Sequence, residues 1–296
     1  MRPEKLSEII GNYLIKDRLR ISIEAANIDK TSLGHCIFSG QPGLGKTTLA
    51  LAVAKELGSR LITANGGNLR TVKDIIGLVN QLNFRDVLFI DEIHNIPVKS
   101  QESLFTVLED YKLYIDNGNS TFHVDVPMFT MIGATTEEGM LSKPFRDRFV
   151  YKFVLQPYTT AEIAAIISKN AAQSCLTFEQ NIVELLSVRC RGTPRLAINY
   201  LQWLKDYCKA KKIFRVNKQH IDDAMKMIGV DEQGLTIQDH NYLNFLLRNN
   251  NPVGVKTIAA GIGESVETIE QVIEPYLVSL GKISKCTKGR YLNGCV

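Results

Sequence analysis

Several things this chain lacks narrow what it can be. Its six cysteines, Cys36, Cys175, Cys190, Cys208, Cys286 and Cys295, include no Cys-x-x-Cys pair, so neither a zinc knuckle nor a thioredoxin-like redox motif is expected. At 296 residues the chain can build a sizeable core without disulfide staples, and free thiols in a reducing cytoplasm are the economical reading. No apolar run approaches the length of a membrane span, so no membrane partner is expected. Met1 to Lys5 is charged and has no apolar stretch, which does not read as a signal peptide. There is no internal repeat and no low-complexity tract. Charge imbalance is slight: the net charge is +4 with 22% charged residues, so any nucleic-acid reading depends on where the basic residues cluster.

What is present begins with Cys36-Ile37-Phe38, an apolar run suited to a buried strand. It leads into Gly40-x-x-x-x-Gly45-Lys46-Thr47, a P-loop. Glycines such as Gly43 and Gly45 let backbone N–H groups close around phosphates where a Cβ would obstruct. Lys46 would place its charge on the β- and γ-phosphates, and the Thr47 hydroxyl would ligate Mg²⁺. The run from Leu49 to Leu57 is helical in character, so the phosphates would lie at a helix N-terminus, and Gly58 fits the helix stop.

A second nucleotide signal follows. Val87-Leu88-Phe89-Ile90 runs straight into Asp91 and Glu92, 45 residues after Lys46. A strand apolar on both faces belongs in a covered parallel sheet, with its carboxylates at the C-terminal edge. Asp91 would orient Mg²⁺ and Glu92 would polarise the attacking water. Phe129 to Ala134 reads as another buried strand, ending in Thr135-Thr136, whose hydroxyls could hold that water or merely cap the strand. Arg146 and Arg148 bracket Asp147. Such a run is either a surface ion-pair cluster or the site of an arginine finger for a neighbouring subunit.

The remaining pattern sets the organisation. A helix is expected from about 14 to 28, a strand over Arg60 to Thr63, helices over about 70 to 82 and 100 to 110, and a hairpin turning at Asn117-Gly118. From 157 the chain reads as helical with no strand to about 228. Thr159-x-x-Glu162 and Thr177-x-x-Gln180 read as capping boxes, and Pro194 opens a further helix in which Trp203 belongs to the core. Gly229 to Gly234 reads as a linker. Three helices and a basic two-stranded turn, with Lys282, Lys285, Lys288 and Arg290, then suggest a winged helix. The fold class is α/β: a P-loop parallel-sheet domain over 1–156, a helical lid over 157–230 and a winged helix over 235–296.

These features, taken together, resemble RuvB, the Holliday junction branch-migration family of AAA+ ATPases. The resemblance runs over nearly the whole chain. It rests on Gly40 to Thr48, Val87 to His94, Glu109-Asp110-Tyr111, Ile132-Gly133-Ala134-Thr135-Thr136, Arg146 to Phe149, Arg191-Gly192-Thr193-Pro194-Arg195 and Glu274-Pro275-Tyr276-Leu277. It implies an ATP-hydrolysing motor on duplex and four-way junction DNA, working as a homo-oligomer, hexameric by resemblance, with ATP and Mg²⁺ as cofactors. Lys46, Thr47 and Thr48 would hold the phosphates and Mg²⁺. Asp91 and Glu92 would be the Walker B acids, Thr136 the sensor on the neighbouring strand, Arg148 the finger and Arg195 the lid arginine. Arg2, Ile10 and Tyr158 are similar to residues around the nucleoside, and Glu109 to Tyr111 to a segment near the subunit interface. Lys285, Lys288 and Arg290 match the basic wing. The chain departs from the family pattern at Asn95, Glu137 and Val150. Its hairpin is also shorter than is typical, which counts against docking of a RuvA-like partner. A clamp-loader-like ATPase and a nucleotide- and DNA-binding recruiter without motor activity are the alternatives.

Overall fold

The computed structural model describes residues 3–116, 121–172, 176–179, 182–249 and 251–293. Contacts divide the chain into two units, Met1–Tyr158 and Thr159–Val296. In the first unit a three-residue turn at Leu6–Glu8 precedes α1 (Tyr13–Asp29). Gly11 and Asn12 both take positive φ, which breaks the helical pattern there. Then come β1 (Cys36–Ser39), α2 (Lys46–Leu57), β2 (Leu61–Asn65), α3 (Val72–Val79), β3 (Val87–Asp91) and α4 (Val98–Asp110). A hairpin, β4 (Lys112–Asp116) and β5 (Thr121–Asp125), precedes β6 (Thr130–Thr135), α5 (Lys143–Asp147) and β7 (Tyr151–Val154). The expected turn at Asn117-Gly118 lies outside the described residues.

β1, β2, β3, β6 and β7 form one parallel sheet in the order β2-β3-β6-β1-β7. Every residue of β1 and β6 is buried, as their unbroken apolar runs require of strands covered on both faces. The chain steps outward from β1 to β3 and then returns to insert β6 between them. That reversal leaves a crevice at the C-terminal edge, where sheets of this kind bind ligands. Apolar side chains of β3, α3, α4 and α5 fill one core, with Leu88, Ile90, Ile75, Leu104 and Phe145 at its centre.

The second unit holds α6 (Thr160–Ala171), β8 (Thr177–Phe178), α7 (Ile182–Arg189), α8 (Pro194–Lys211), β9 (Arg215–Val216) and α9 (Lys218–Met227). Thr159 caps α6 in the expected reciprocal box with Glu162. Thr177 does not cap a helix. It sits in β8, and its backbone N–H donates to the Phe214 carbonyl, which pairs β8 with β9. Two-residue strands 38 positions apart carry no periodicity, so the purely helical reading of this stretch missed them. Gln180, the other half of that expected box, lies outside the described residues. Trp203 is half-buried, and its indole N–H donates to the Ala224 carbonyl at 2.7 Å.

The chain continues through α10 (Ile237–Leu247), α11 (Val255–Ile262), α12 (Val266–Thr268), a π-turn over Ile269–Ile273, α13 (Glu274–Ser279), β10 (Ile283–Cys286) and β11 (Gly289–Leu292). β10 and β11 pair antiparallel, and Val253 bridges to Arg290 as a third edge. Tyr242, Ile258, Ile269 and Leu277 make a separate small core.

Candidate nucleotide site and basic wing

The P-loop departs from the end of β1. Gly40 has φ 142°, and a Cβ there would stand 2.7 Å from the Leu155 carbonyl oxygen, so only glycine lets the loop leave the sheet this closely. The loop closes on the first turn of α2, whose N–H groups have no intrahelical partner. Lys46 lies in that turn and is 7% exposed. Its ammonium donates to the Gly40 carbonyl at 2.7 Å and the Gln41 carbonyl at 3.2 Å, inside the loop it would serve. The Tyr158 hydroxyl donates to the Leu44 carbonyl at 3.3 Å and braces the loop from the other side. Thr47 is exposed and Thr48 half-buried. A positive side chain turned into a cradle of backbone groups fits a polyphosphate.

Register brings the other groups to the same edge. Ser39 is level with Thr135 in β6, and Ile90 is level with Gly133, so Asp91 ends its strand beside Ala134. The inserted strand β6 therefore places Thr135 and Thr136 between the P-loop and the Walker B acids. Glu92 turns sharply out of β3 with φ 48°. Gly66 makes room for that turn, because a Cβ on it would stand 2.3 Å from the Glu92 carbonyl oxygen.

One residue outside the expected set, His94, completes this edge. The His94 ring is 3.4 Å from the Glu92 carboxylate and 3.0 Å from the Thr135 hydroxyl, each measured at Nδ1. The Thr135 hydroxyl also accepts the Glu137 N–H at 2.9 Å. At Glu137, one of the positions that depart from the family pattern, the backbone N–H ties the strand end. Asp-Glu-Ile-His in the sequence showed an imidazole near the acids. Only the register of β6 reveals what it touches.

Arg148 lies at the end of α5 and packs along α4. Its guanidinium pairs with Glu109 at 2.8 Å and lies 4.6 Å from the Phe105 ring centroid. The first and third groups of the Glu109-Asp110-Tyr111 segment thus have different surroundings. Glu109 holds Arg148, and Tyr111 turns inward with φ 53° onto Phe129. Asp110 is exposed. Ile10 is half-buried ahead of α1, and Arg2 lies outside the described residues. In the second unit Arg195 is exposed on the first turn of α8.

In the wing, sequence had grouped Lys285, Lys288 and Arg290 as equivalent cations. Their surroundings differ. Glu274 is fully buried and accepts from Arg290 Nε at 2.8 Å, from the Tyr242 hydroxyl at 2.9 Å and from Lys285. Arg290 reaches Glu270 as well, at 2.7 Å. Burial alone would raise the Glu274 carboxyl, but the bonds from Arg290, Lys285 and Tyr242 outweigh it and hold the group below the ordinary range. Much of the Arg290 charge is therefore answered within the domain, while Lys288 stands exposed at the turn.

Three family models match the chain in order. They are the Holliday junction DNA helicase RuvB P-loop domain over residues 1–155, the RuvB AAA lid domain over 158–231 and the RuvB C-terminal winged helix domain over 232–294. Among curated relatives, the Holliday junction branch migration complex subunit RuvB of Ehrlichia ruminantium is 39% identical, over 99% of this chain and 89% of its own length. The same subunit of Kosmotoga olearia is 38% identical, over 98% and 86%. Among solved structures, the Thermotoga maritima RuvB Holliday junction branch migration motor superposes with a TM-score of 0.90 at 34% identity, covering 99% of this chain and 95% of that one.

Proposed function

The chain belongs to the RuvB family of Holliday junction DNA helicases, and on that premise we propose that it is an ATP-driven motor that moves the branch point of four-way junction DNA. The observation that carries this reading is the meeting of Lys46, Asp91, Glu92 and the Thr135-Thr136 pair along one sheet edge, in a chain that ends in a winged helix. A clamp-loader-like ATPase would carry a helical oligomerisation collar as its third domain, and the winged helix in that place counts against this alternative.

Lys46 binds the β- and γ-phosphates, leaving the loop carbonyls that hold it here. Thr47 and Asp91 are the residues that would hold Mg²⁺, which when bound neutralises phosphate charge. Glu92 takes the proton of the attacking water, and Thr136 orients that water or the departing phosphate. Ile10, Tyr158 and Arg2 serve the nucleoside end, and Arg195 reads the nucleotide from the lid. Arg148 acts on the site of a neighbouring copy, for which it must exchange Glu109 for a γ-phosphate; Asp110 and Tyr111 belong to the same face. Protomers therefore assemble, as a hexamer in this reading. The domain limits are 1–156, 157–230 and 235–296, and the setting is the reducing cytoplasm, which suits the buried free thiols of Cys36, Cys190 and Cys208. The basic wing meets DNA phosphates without reading sequence, Lys288 directly and Lys285 and Arg290 at its flank. The β4–β5 hairpin is where a RuvA-like partner would dock, and its shortness counts against that docking.

The test is ATPase and strand exchange on a synthetic four-way junction, with and without a RuvA-type protein. DNA-stimulated hydrolysis with migration of the branch point is expected. Hydrolysis without strand exchange under both conditions sinks the motor reading and leaves the ATPase standing.

A further inference from the structure

Two of the chain's distinctive motifs, Arg191 to Arg195 and Glu274 to Leu277, lie nearly eighty residues apart in sequence. The nucleotide site uses one arginine of the first, and the wing uses one glutamate of the second. Arg191 and Tyr276 remain, and the fold brings them together. The Arg191 guanidinium lies 4.6 Å from the Tyr276 ring centroid. Its Nε donates to the Gly234 carbonyl at 2.8 Å, and its Nη2 pairs with Asp239. The Tyr276 hydroxyl donates to the Gln233 carbonyl at 2.6 Å.

The contacts of Arg191 with Tyr276 and Asp239 tie the lid to the winged helix, and those at Gly234 and Gln233 fasten the connecting stretch to one side and the other. Arg191 belongs to the turn between α7 and α8, and it holds that turn in the left-handed region at φ 52°, followed by Gly192 at φ 63°. Asp239 is fully buried on the first turn of α10, and the Thr236 N–H and hydroxyl donate to the same carboxylate at 2.6 and 2.7 Å. Tyr276 lies on α13, in the helix that supports the wing.

The stretch expected to be a linker is itself folded. The Asp231 carboxylate accepts the Gln233 and Leu235 N–H groups at 2.9 and 2.8 Å, and its other oxygen faces His240 at 3.0 Å. Gly234 presses on the lid so closely that a Cβ would stand 2.7 Å from the Arg189 carbonyl oxygen. Leu235 is buried in the winged-helix core. A connection with its backbone groups bonded and its ends clamped by a buried ion pair has little freedom to hinge.

We propose that Arg191, Asp239 and Tyr276 form a lock that makes the lid and the winged helix one rigid lever, so that a displacement of the lid is delivered undiminished to the DNA-binding wing. Arg195, the residue assigned to sense nucleotide, follows Arg191 by four positions across a single turn. The sensor and the lock are thus two ends of one short segment. Arg191 and Tyr276 are positioning residues: they touch neither nucleotide nor DNA and act on how hydrolysis is converted to movement. The consequence for movement rests on the motor reading above, whereas the rigidity of the lever does not.

The test uses the full chain with Cys175, Cys286 and Cys295 replaced by serine and spin labels at Lys209→Cys on α8 and Thr287→Cys in the wing turn. A single narrow distance is expected, unchanged by a non-hydrolysable ATP analogue, and Tyr276→Ala should broaden it. A broad or nucleotide-dependent distance in the otherwise unaltered chain overturns the lock. Independently, Tyr276→Ala is expected to leave ATPase and duplex affinity within about threefold while strand exchange per ATP falls by about tenfold. Tyr276→Phe keeps the ring under Arg191 and restores most of that ratio. Strand exchange per ATP that is unaltered in folded Tyr276→Ala also overturns the proposal. Should the unaltered chain hydrolyse ATP but move no junction, the motor reading fails, and the distance measurement still decides the lock.

Discussion

His35 shows how much one residue's surroundings can decide. It precedes β1, is 5% exposed, and accepts the Met131 N–H at Nδ1 while Nε2 meets the Leu108 carbonyl. The ring bridges two strands and α4 as a neutral imidazole. Burial is the main cause that lowers its pKa from 6.5 to about 4. Between those values the unfolded chain binds a proton that the folded chain refuses. Its contribution to stability is therefore complete above about pH 6.5 and is lost as the pH falls toward about 4, by up to about 3 kcal/mol. Urea midpoints measured from pH 7.5 down to pH 4.5 should show that decline, and His35→Gln should flatten it. An equal slope in the variant would assign the decline to other groups. The two acids expected to serve hydrolysis, by contrast, stand out in the sequence one residue at a time. Asp91 and Glu92 follow an apolar strand, and it is their place 45 residues after Lys46 that separates them from an ordinary acidic loop. His94 was visible but had no role until β6 supplied Thr135.

Among the elements, the insertion of β6 between β3 and β1 does most to build the site. Gly66, in the short turn after β2, shows how little slack remains. Its missing Cβ is the space occupied by the Glu92 carbonyl. Gly66→Ala must push the Walker B turn away, at about 1–3 kcal/mol of stability. The expected result is a lower kcat with nucleotide affinity largely kept, read by comparing steady-state ATPase with fluorescent-nucleotide binding. An unchanged kcat would mean that the turn tolerates displacement. Helix periodicity, caps and breakers were legible in sequence because they are local: Thr159 with Glu162, Gly58 after α2, Pro194 opening α8. The β8–β9 pair was not, because its pairing joins segments separated by two helices and depends on no local pattern. Nor was the partner of Arg290, since Glu274 reads as one more charge on a helix until α13 is folded against the wing.

At the scale of the whole molecule, the arginine finger sets the strongest expectation. Arg148 is held here by Glu109 of its own chain, and its proposed work on a neighbouring copy requires that pair to open. Glu92→Gln should lower ATPase by about 10²–10⁴, and Arg148→Ala by about 10³–10⁵. Mixing the two inactive variants should restore hydrolysis, because some interfaces then combine an intact Glu92 with a neighbour's intact Arg148. Mixtures that stay as inactive as their components would place the finger in cis, or remove it.

The amino-acid sequence alone determined that this is a nucleotide-hydrolysing chain with a sheet domain, a helical lid and a basic winged helix. Those features are written in short spacings: a glycine loop before a helix, carboxylates after an apolar strand, cations around a tight turn. Tertiary structure decided which of these groups meet. It set the His94 ring against both Glu92 and Thr135, answered Arg290 with a buried glutamate, and turned an apparent linker into a clamped joint at Arg191 and Tyr276. The physical reason is the same throughout. Local chemistry depends on neighbours within one turn or one strand, whereas strand register and buried ion pairs depend on segments that only the complete fold brings within bonding distance.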